Sequence, residues 1–161
     1  MDEILEVLEK DARTTPEELA KILKCRVPEV KKKIKKYEKD GVIVKYKAVL
    51  NKDLLKDPGT AVRALIEVQI TPQKDAGFDR IAERIYSFPE VASCYLISGT
   101  YDLLVVVEGA TLHEVANFVA EKLSCLANVR STVSHFLLKK YKEDGVILKH
   151  RDEHKRIAIT Y

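Results

Sequence analysis

The chain has 161 residues, of which 46% are hydrophobic and 33% are charged, and its formal net charge is +3. This composition is typical of a globular protein and excludes a disordered chain, a collagen-like chain and a disulfide scaffold. The longest unbroken apolar run, Leu103 to Val107, is far too short for a membrane span. The acidic start of the chain shows no signal- or transit-peptide pattern, so we expect a cytoplasmic protein.

The positive charge is concentrated in one short stretch. Residues 21–47 contain eleven Lys and Arg against three acidic residues, whereas residues 1–20 contain two basic and seven acidic residues. Localised basicity of this kind is typical of a protein that binds the phosphate backbone of a nucleic acid. Taken alone, the same stretch fits a solvated lysine face equally well.

The N-terminal third of the sequence predicts three short helices. The first carries its apolar residues on one face. The second begins at a capping box in which Thr15 and Glu18 flank Pro16. The third is predicted from Pro28 to about Lys39. Its apolar stripe consists of Val27, Val30, Ile34 and Tyr37.

The face of the third helix opposite this stripe is rich in lysine. It carries a single acid, whereas a surface helix stabilised by charge pairs would alternate in sign. A helix of this kind fits the major groove of DNA, where its lysines neutralise phosphates on both walls. The residues expected at a DNA interface are Arg26, Pro28, Glu29, Lys32, Lys33, Lys35, Lys36, Lys39 and Lys45. Arg26 and Glu29, near the helix start, are candidate base readers.

Two short apolar runs follow the third helix, which ends at Gly41. Val42 to Val44 and Ala48 to Leu50, separated by Lys45 to Lys47, predict a small hairpin. A helix-turn-helix followed by a β-ribbon is a winged helix-turn-helix. We therefore expect a DNA-binding domain over residues 1–57.

The rest of the chain, residues 58–161, lies beyond a hinge near Asp57-Pro58-Gly59 and predicts a ferredoxin-like domain. Its order is βαββαβ, with an antiparallel sheet and two helices on one face. The expected strands are 61–70, 91–97, 101–107 and 129–138, followed by a closing hairpin at 145–148 and 156–159. The other sheet face carries no helix, so we expect it to pack against a second copy of the chain.

Several motifs, taken in order, resemble the Lrp/AsnC family of transcriptional regulators, also called feast/famine regulators. They are Glu18-Leu19-Ala20, Val30-x-x-x-Ile34, Asp40-Gly41-Val42-Ile43-x-x-Tyr46 and, most specifically, Gly99-Thr100-Tyr101-Asp102-Leu103. The resemblance runs from Met1 to about Tyr141. It implies a partner in double-stranded DNA, a C-terminal domain that dimerises and often builds octamers, and an amino-acid effector.

The resemblance also implies where the effector binds. In the family, effectors bind where dimers meet, near a turn with the pattern Gly-x-x-Asp, which Gly99 and Asp102 reproduce. The residues expected at this site are Ser98, Gly99, Thr100, Tyr101 and Asp102. From the residues alone, Gly99 is equally a hairpin glycine with positive φ, and Asp102 a carboxylate that accepts hydrogen bonds from turn amides.

One residue departs from the family pattern. Val27 stands where the family commonly has a Ser or Thr at the cap of the recognition helix. A missing cap costs about 1 kcal/mol of local stability, and it removes a hydroxyl that could contact a phosphate.

Two other functions remain open. The first is an enzyme of the same layout that resembles sirohaem decarboxylases, and the second is an effector-binding subunit with little affinity for DNA. The histidines are scattered, and no Ser-His-Asp order, Walker loop or H-E-x-x-H motif occurs. The three cysteines lack a C-x-x-C pair and are expected to be reduced thiols packed as small hydrophobes. We expect no catalytic residue, no metal site and no cofactor.

Overall fold

The computed structural model describes residues 2–55, 62–71 and 77–148. The chain divides into two compact units, Met1–Leu50 and Asn51–Tyr161. The predicted hinge at 57–59 and the predicted strand at 156–159 lie outside the described residues. In the described part of the chain, no helix is both long and apolar enough to cross a membrane.

The first unit contains three short helices, α1 (Glu3–Lys10), α2 (Pro16–Ile22) and α3 (Val27–Lys39). Asp2 caps α1, since its carboxylate accepts a hydrogen bond from the backbone N–H of Ile4 at 2.9 Å. The helices meet in one small apolar core. Its buried members are Ile4, Leu8, Leu19, Ala20 and Val30, and Val27 and Ile34 pack against them. The predicted stripe of α3 is therefore the face that holds the unit together.

The predicted capping box at the start of α2 is confirmed. The Thr15 hydroxyl accepts a hydrogen bond from the Glu18 N–H at 3.2 Å, and the Glu18 carboxylate accepts one from the Thr15 N–H at 2.8 Å. The start of α3 differs from the prediction by one residue, because Arg26 rather than Val27 is the N-cap. The Arg26 side chain makes no capping hydrogen bond, so the helix lacks a side-chain cap as expected.

The hairpin predicted after α3 does not form within the described residues. Gly41, at a φ of +70°, ends the helix, and 44–50 run without ladder hydrogen bonds. Two strands of three residues are marginal on their own, and the loop Lys45 to Lys47 offers no Gly, Asn or Asp for a tight turn. Val44 is left 89% exposed.

The second unit contains the predicted βαββαβ order. Its strands are β1 (Val62–Ile70), β2 (Val91–Leu96), β3 (Leu103–Gly109) and β4 (Val129–Phe136), and its helices are α4 (Asp79–Tyr86) and α5 (Leu112–Asn117), which continues as a π-helix (Phe118–Leu123). All strand pairs are antiparallel, in the order β2-β3-β1-β4. The predicted strand bounds hold to within two residues, and β3 begins at Leu103 rather than at Tyr101.

The two faces of this sheet differ sharply in chemistry. The face under the helices is apolar, and its fully buried side chains include Ile66, Val68, Val105 and Val107. The alternate residues point to the other face, as the period of a strand requires. The register places there Leu65, Glu67 and Gln69 of β1, Leu104 and Val106 of β3, Tyr95 of β2, and Ser131, Val133 and His135 of β4. We call this mixed apolar and polar surface the open face.

A short hairpin closes the described chain. It consists of β5 (Lys142–Glu143) and β6 (Val146–Ile147), which pair through Asp144 and Gly145 at φ of +46° and +80°. Two positive φ values are the mark of a type I′ turn, for which Asp-Gly is a preferred sequence. The first strand of the predicted closing hairpin therefore pairs with the residues before it.

Ion pairs attach this hairpin to the sheet. The Arg63 guanidinium donates to Glu143 at 3.0 Å and to Glu108 at 2.7 Å. Burial opposes the charge of Arg63, but the hydrogen bonds to Glu143 and Glu108 outweigh it and raise the pKa of the guanidinium.

The cysteines correct one expectation. All three are free thiols, but only Cys94 packs against the core, where burial raises its pKa. Cys25 and Cys125 are exposed, so they do not act as small hydrophobes.

Candidate functional site

The lysine-rich face of α3 is exposed as the sequence predicts. Lys32, Lys35, Lys36 and Lys39 are all exposed. Within the described ranges, none of the four forms an ion pair with a carboxylate. We call this set of four the lysine face. Its charges are held on a helix whose opposite side is buried, and they are available to a polyanion.

The lysines at the edges of this face have a different role. Lys31 pairs with Glu17 of α2 at 2.7 Å, and Lys33 pairs with Asp2, the cap of α1, at 3.0 Å. The Ile4 N–H and Lys33 together lower the pKa of the Asp2 carboxyl, and Asp2 in turn raises the pKa of Lys33. These two pairs tie α3 to α2 and to α1. Lys33, predicted at the DNA interface, is therefore already engaged by a carboxylate of its own unit.

The two candidate base readers contact each other. The Arg26 Nε donates to Glu29 Oε1 at 2.9 Å, and the guanidinium Nη2 contacts the same oxygen. Arg26 lowers the pKa of Glu29, since it stabilises the carboxylate. Both side chains are exposed at the start of α3, next to the exposed Pro28.

Lys45, the remaining predicted DNA contact, lies beyond the end of α3, in the exposed stretch 44–50. Its neighbour Tyr46 folds back onto α3, where the hydroxyl donates to Glu38 at 3.1 Å. Loss of water around Tyr46, with the Glu38 hydrogen bond, raises the pKa of the phenol. This contact places the start of the stretch beside the last turn of α3.

The second predicted site is the turn between β2 and β3, residues Ser98 to Asp102, which we call the effector turn. Its base is closed by a hydrogen bond of 2.8 Å from the Ile97 N–H to the Asp102 carbonyl. Ser98, Gly99 and Thr100 are exposed, whereas Tyr101 and Asp102 are partly buried.

Gly99 does not have the positive φ that a hairpin glycine was expected to have. A Cβ at this position would meet only the Ile97 side chain, at 3.8 Å. The turn spans more residues than a two-residue hairpin loop, so it closes without a left-handed residue. The expectation that Gly99 is needed for a positive φ is therefore wrong. A side chain at this position would instead fill the space above the turn.

Asp102 accepts a hydrogen bond from outside the turn. Its Oδ2 accepts from the Ile70 N–H of β1 at 2.7 Å, and its own N–H donates to the Val68 carbonyl at 3.0 Å. β1 pairs with β3 only as far as Leu103, so the carboxylate satisfies the next amide along β1. The expected contact with turn amides is replaced by one with the neighbouring strand.

Gln69 also contacts the effector turn, although no sequence pattern predicted this contact. Its Nε2 donates to the Thr100 carbonyl at 2.9 Å, and its Oε1 accepts from the Ser131 hydroxyl of β4 at 2.8 Å. A single Gln on a strand has no motif, and only the strand order brings these three residues together.

The described histidines do not form a cluster. His135 lies on the open face, 3.1 Å from Glu67 Oε1, and His113 is exposed on α5. His150 and His154 lie outside the described residues. Across residues 2–55, 62–71 and 77–148, no group of three or more His, Cys, Asp or Glu is arranged to hold a metal ion.

Two family models match the chain, one in each unit. The model described as "Winged helix-turn-helix DNA-binding" matches residues 3–44. The model described as "Lrp/AsnC ligand binding domain" matches residues 63–147. The first match contains the lysine face, and the second contains the effector turn.

Known proteins resemble the chain over most of its length. YugG, an uncharacterized HTH-type transcriptional regulator of Bacillus subtilis (strain 168), is 47% identical over 98% of this chain and 95% of that protein. The leucine-responsive regulatory protein of Rhizobium meliloti (strain 1021) is 31% identical over 87% of this chain and 88% of that protein. The crystal structure of a Neisseria meningitidis transcriptional regulator in complex with L-Met matches with a TM-score of 0.68 at 28% identity, over 87% of this chain and 88% of that chain.

Proposed function

Because the chain belongs to the Lrp/AsnC family of transcriptional regulators, we propose that it binds specific DNA sites and that an amino acid, or a related small metabolite, changes this binding. The observation that carries the proposal is the exposed lysine face in a chain that matches both family models. The face supplies attraction to DNA, and the second unit supplies a site where a small ligand can act on it.

In this proposal α3 enters the major groove. The lysine face neutralises phosphates, with Lys45 as an additional contact beyond the helix. Lysine is a point charge and does not form the bidentate contact with guanine that arginine forms. Sequence preference therefore depends on Arg26 and Glu29 beside Pro28, and Arg26 must leave Glu29 to reach a guanine. Lys33 contributes mainly by holding α1 against α3.

We place the effector at the turn formed by Ser98, Gly99, Thr100, Tyr101 and Asp102. The turn amides are suited to a ligand carboxylate, and the Asp102 carboxylate is suited to its ammonium group. Asp102 has four lone-pair positions, so a bond from Ile70 leaves room for a second donor. The named ligand of the Neisseria relative, L-Met, has this pair of groups.

The site on one subunit is too open to hold so small a ligand. Ser98, Gly99 and Thr100 are exposed, and a small amino acid offers few atoms for burial. We therefore propose that a neighbouring subunit completes it. The homodimer forms through the open face, which includes Leu65, Leu104 and Val133.

We also propose that the protein is not an enzyme. Its relatives are named as transcriptional regulators. The imidazole of His135 on the open face already contacts the Glu67 carboxylate. His113 is on α5, on the other side of the sheet, so the two histidines do not share a site. A tetrapyrrole enzyme would need these groups around one cavity.

The test is recovery of DNA fragments from the genome of the source organism, with and without each of the twenty amino acids. We expect a small set of fragments, bound with an affinity that falls steeply with salt, and a change in that set with at least one amino acid. Failure to retain any fragment at low salt would leave the effector-binding subunit as the better function. A Soret band in the spectrum of the purified protein would favour the enzyme.

A further inference from the structure

Gln69 has an unusual position, since it joins three elements of the sheet at the effector turn. Its amide nitrogen donates to the Thr100 carbonyl, and its amide oxygen accepts from Ser131 of β4. These partners fix the orientation of the amide, because a flipped Gln69 would direct its oxygen at the Thr100 carbonyl oxygen. The side chain is therefore held in one orientation by both ends.

The effector turn is attached to β1 through two of its residues. Asp102 accepts from the Ile70 N–H at 2.7 Å and donates its own N–H to the Val68 carbonyl at 3.0 Å, whereas the Thr100 carbonyl accepts from Gln69 at 2.9 Å. Asp102 lies at the base of the turn, whereas Thr100 lies at its exposed tip. Among the described residues, Gln69 makes the one side-chain hydrogen bond that reaches this tip.

The hydrogen bond to Thr100 also determines where a backbone donor points. In a planar trans peptide, the carbonyl and the following N–H point in opposite directions. With the Thr100 carbonyl held towards Gln69 on the open face, the Tyr101 N–H must point away from Gln69. A donor fixed in this way is pre-organised for a ligand carboxylate, which would otherwise have to order the tip on binding.

We propose that Gln69 is the positioning residue of the effector turn: it fixes the Thr100–Tyr101 peptide and thereby sets how tightly the turn binds an amino acid. This inference rests on the proposed function, because it concerns the same site. Ser131 supports it from β4 by holding the Gln69 amide. Gln69 itself does not contact the ligand.

Two substitutions of Gln69 test the inference on the full-length protein. Gln69→Asn keeps the amide and adds no charge to the open face, but its side chain is one methylene too short to reach the Thr100 carbonyl. Gln69→Met keeps the length of the side chain and removes both hydrogen bonds. We expect each to weaken binding of the amino acid that binds the wild type by about tenfold in calorimetry. Ser131→Ala, which leaves the Thr100 bond in place, should weaken it about threefold or less.

The control is Asn117→Met at the end of α5, which also replaces an amide side chain with methionine but lies on the helix-covered side of the sheet, away from the open face. It should leave amino-acid affinity unchanged. Equal loss in Asn117→Met and Gln69→Met would overturn the inference, because the effect would then not be specific to the contact with the effector turn. Wild-type affinity in both Gln69 variants would overturn it as well.

A second measurement does not require a ligand. The Ile97 and Asp102 amides, which close and attach the turn, should exchange with deuterium faster in Gln69→Met, whereas the Val105 amide should not. If the wild type binds none of the twenty amino acids, the proposed effector function fails, and this exchange pattern still decides whether Gln69 fixes the turn. Faster exchange at Val105 as well, or no change at Ile97 and Asp102, would overturn the positioning role.

Discussion

The lysine face and the effector turn are built in opposite ways. The four lysines extend from one helix into solvent, and within the described residues no carboxylate pairs with them. In the effector turn, by contrast, the Asp102 carboxylate and the Thr100 carbonyl already have partners on β1.

This difference determines how each site responds to change. Charges on an exposed helix act through a long-range field, so their contributions to DNA binding are roughly additive and tolerate small movements. A site made of fixed hydrogen bonds depends on the position of each group, and one lost partner disturbs its neighbours. Substitutions should therefore cause graded losses at the lysine face and abrupt losses at the effector turn.

The largest effect should come from disrupting the proposed dimer, which we propose completes the site at the effector turn. Val133 lies on the open face and is 51% exposed in one chain, so Val133→Glu should leave the subunit folded. In a two-fold interface it would bury two unpaired carboxylates, at a cost on the order of 5 kcal/mol per dimer. We expect sedimentation to detect monomers at micromolar concentration and calorimetry to detect no amino-acid binding.

The control for this variant is Leu112→Glu on α5, a side chain that is 57% exposed and lies on the helix-covered side of the sheet. It should leave the dimer intact. A dimeric Val133→Glu protein would show that the open face is not the interface, and the effector turn would then need another source of enclosure.

The lysine face should lose DNA affinity in proportion to its charge. Replacing Lys32 and Lys36 together with Glu should weaken binding by on the order of 3 kcal/mol and reduce the salt slope by about one unit per lost phosphate contact. Gel shifts over a range of salt concentrations measure both quantities. The double variant Arg80→Glu/Arg84→Glu on α4 has the same change in charge and should bind DNA as the wild type does. Equal loss in the two double variants would mean that net charge, and not the lysine face, attracts DNA.

The sequence predicted the first site better than the second, for a physical reason. Helical period alone separates Val30 and Ile34 from Lys32 and Lys36, so the lysine face follows from local spacing. The ladder order β2-β3-β1-β4 also followed from the order of elements.

What the sequence could not predict depends on contacts between distant residues. Gln69 is thirty-one positions from Thr100 and sixty-two from Ser131, and no spacing rule joins them. The same applies to Lys31 and Lys33, whose partners Glu17 and Asp2 are on other helices. The predicted hairpin was wrong because short apolar runs such as Val42 to Val44 and Ala48 to Leu50 predict strands whether or not a partner strand is present.

Asp102→Asn should remove the negative charge of the effector turn while it keeps the shape of the turn. The Asn oxygen can still accept from the Ile70 N–H, so we expect the free energy of unfolding to fall by only about 1 kcal/mol. Amino-acid binding should be lost, because the negative charge that would meet the ammonium group is absent. Calorimetry across the twenty amino acids, with sedimentation and gel shifts, should show no ligand binding but an intact dimer and wild-type DNA affinity. An unfolded variant would instead indicate that Asp102 serves the sheet alone.

The smallest effect compares one turn from each unit. Lys24, between α2 and α3, has a φ of +51°, and Asp144, between β5 and β6, has a φ of +46°. Aspartate tolerates this conformation because its short side chain bonds locally, whereas lysine does not. Lys24→Gly should therefore stabilise the first unit by about 0.5 kcal/mol. This net value allows for the greater conformational entropy that glycine gives the unfolded chain. Asp144→Gly should stabilise the second unit by less. Deuterium exchange of the core amides of α3 and of β1 measures each unit separately. A larger gain from Asp144→Gly would show that the strain lies in the hairpin of the second unit and not beside the lysine face.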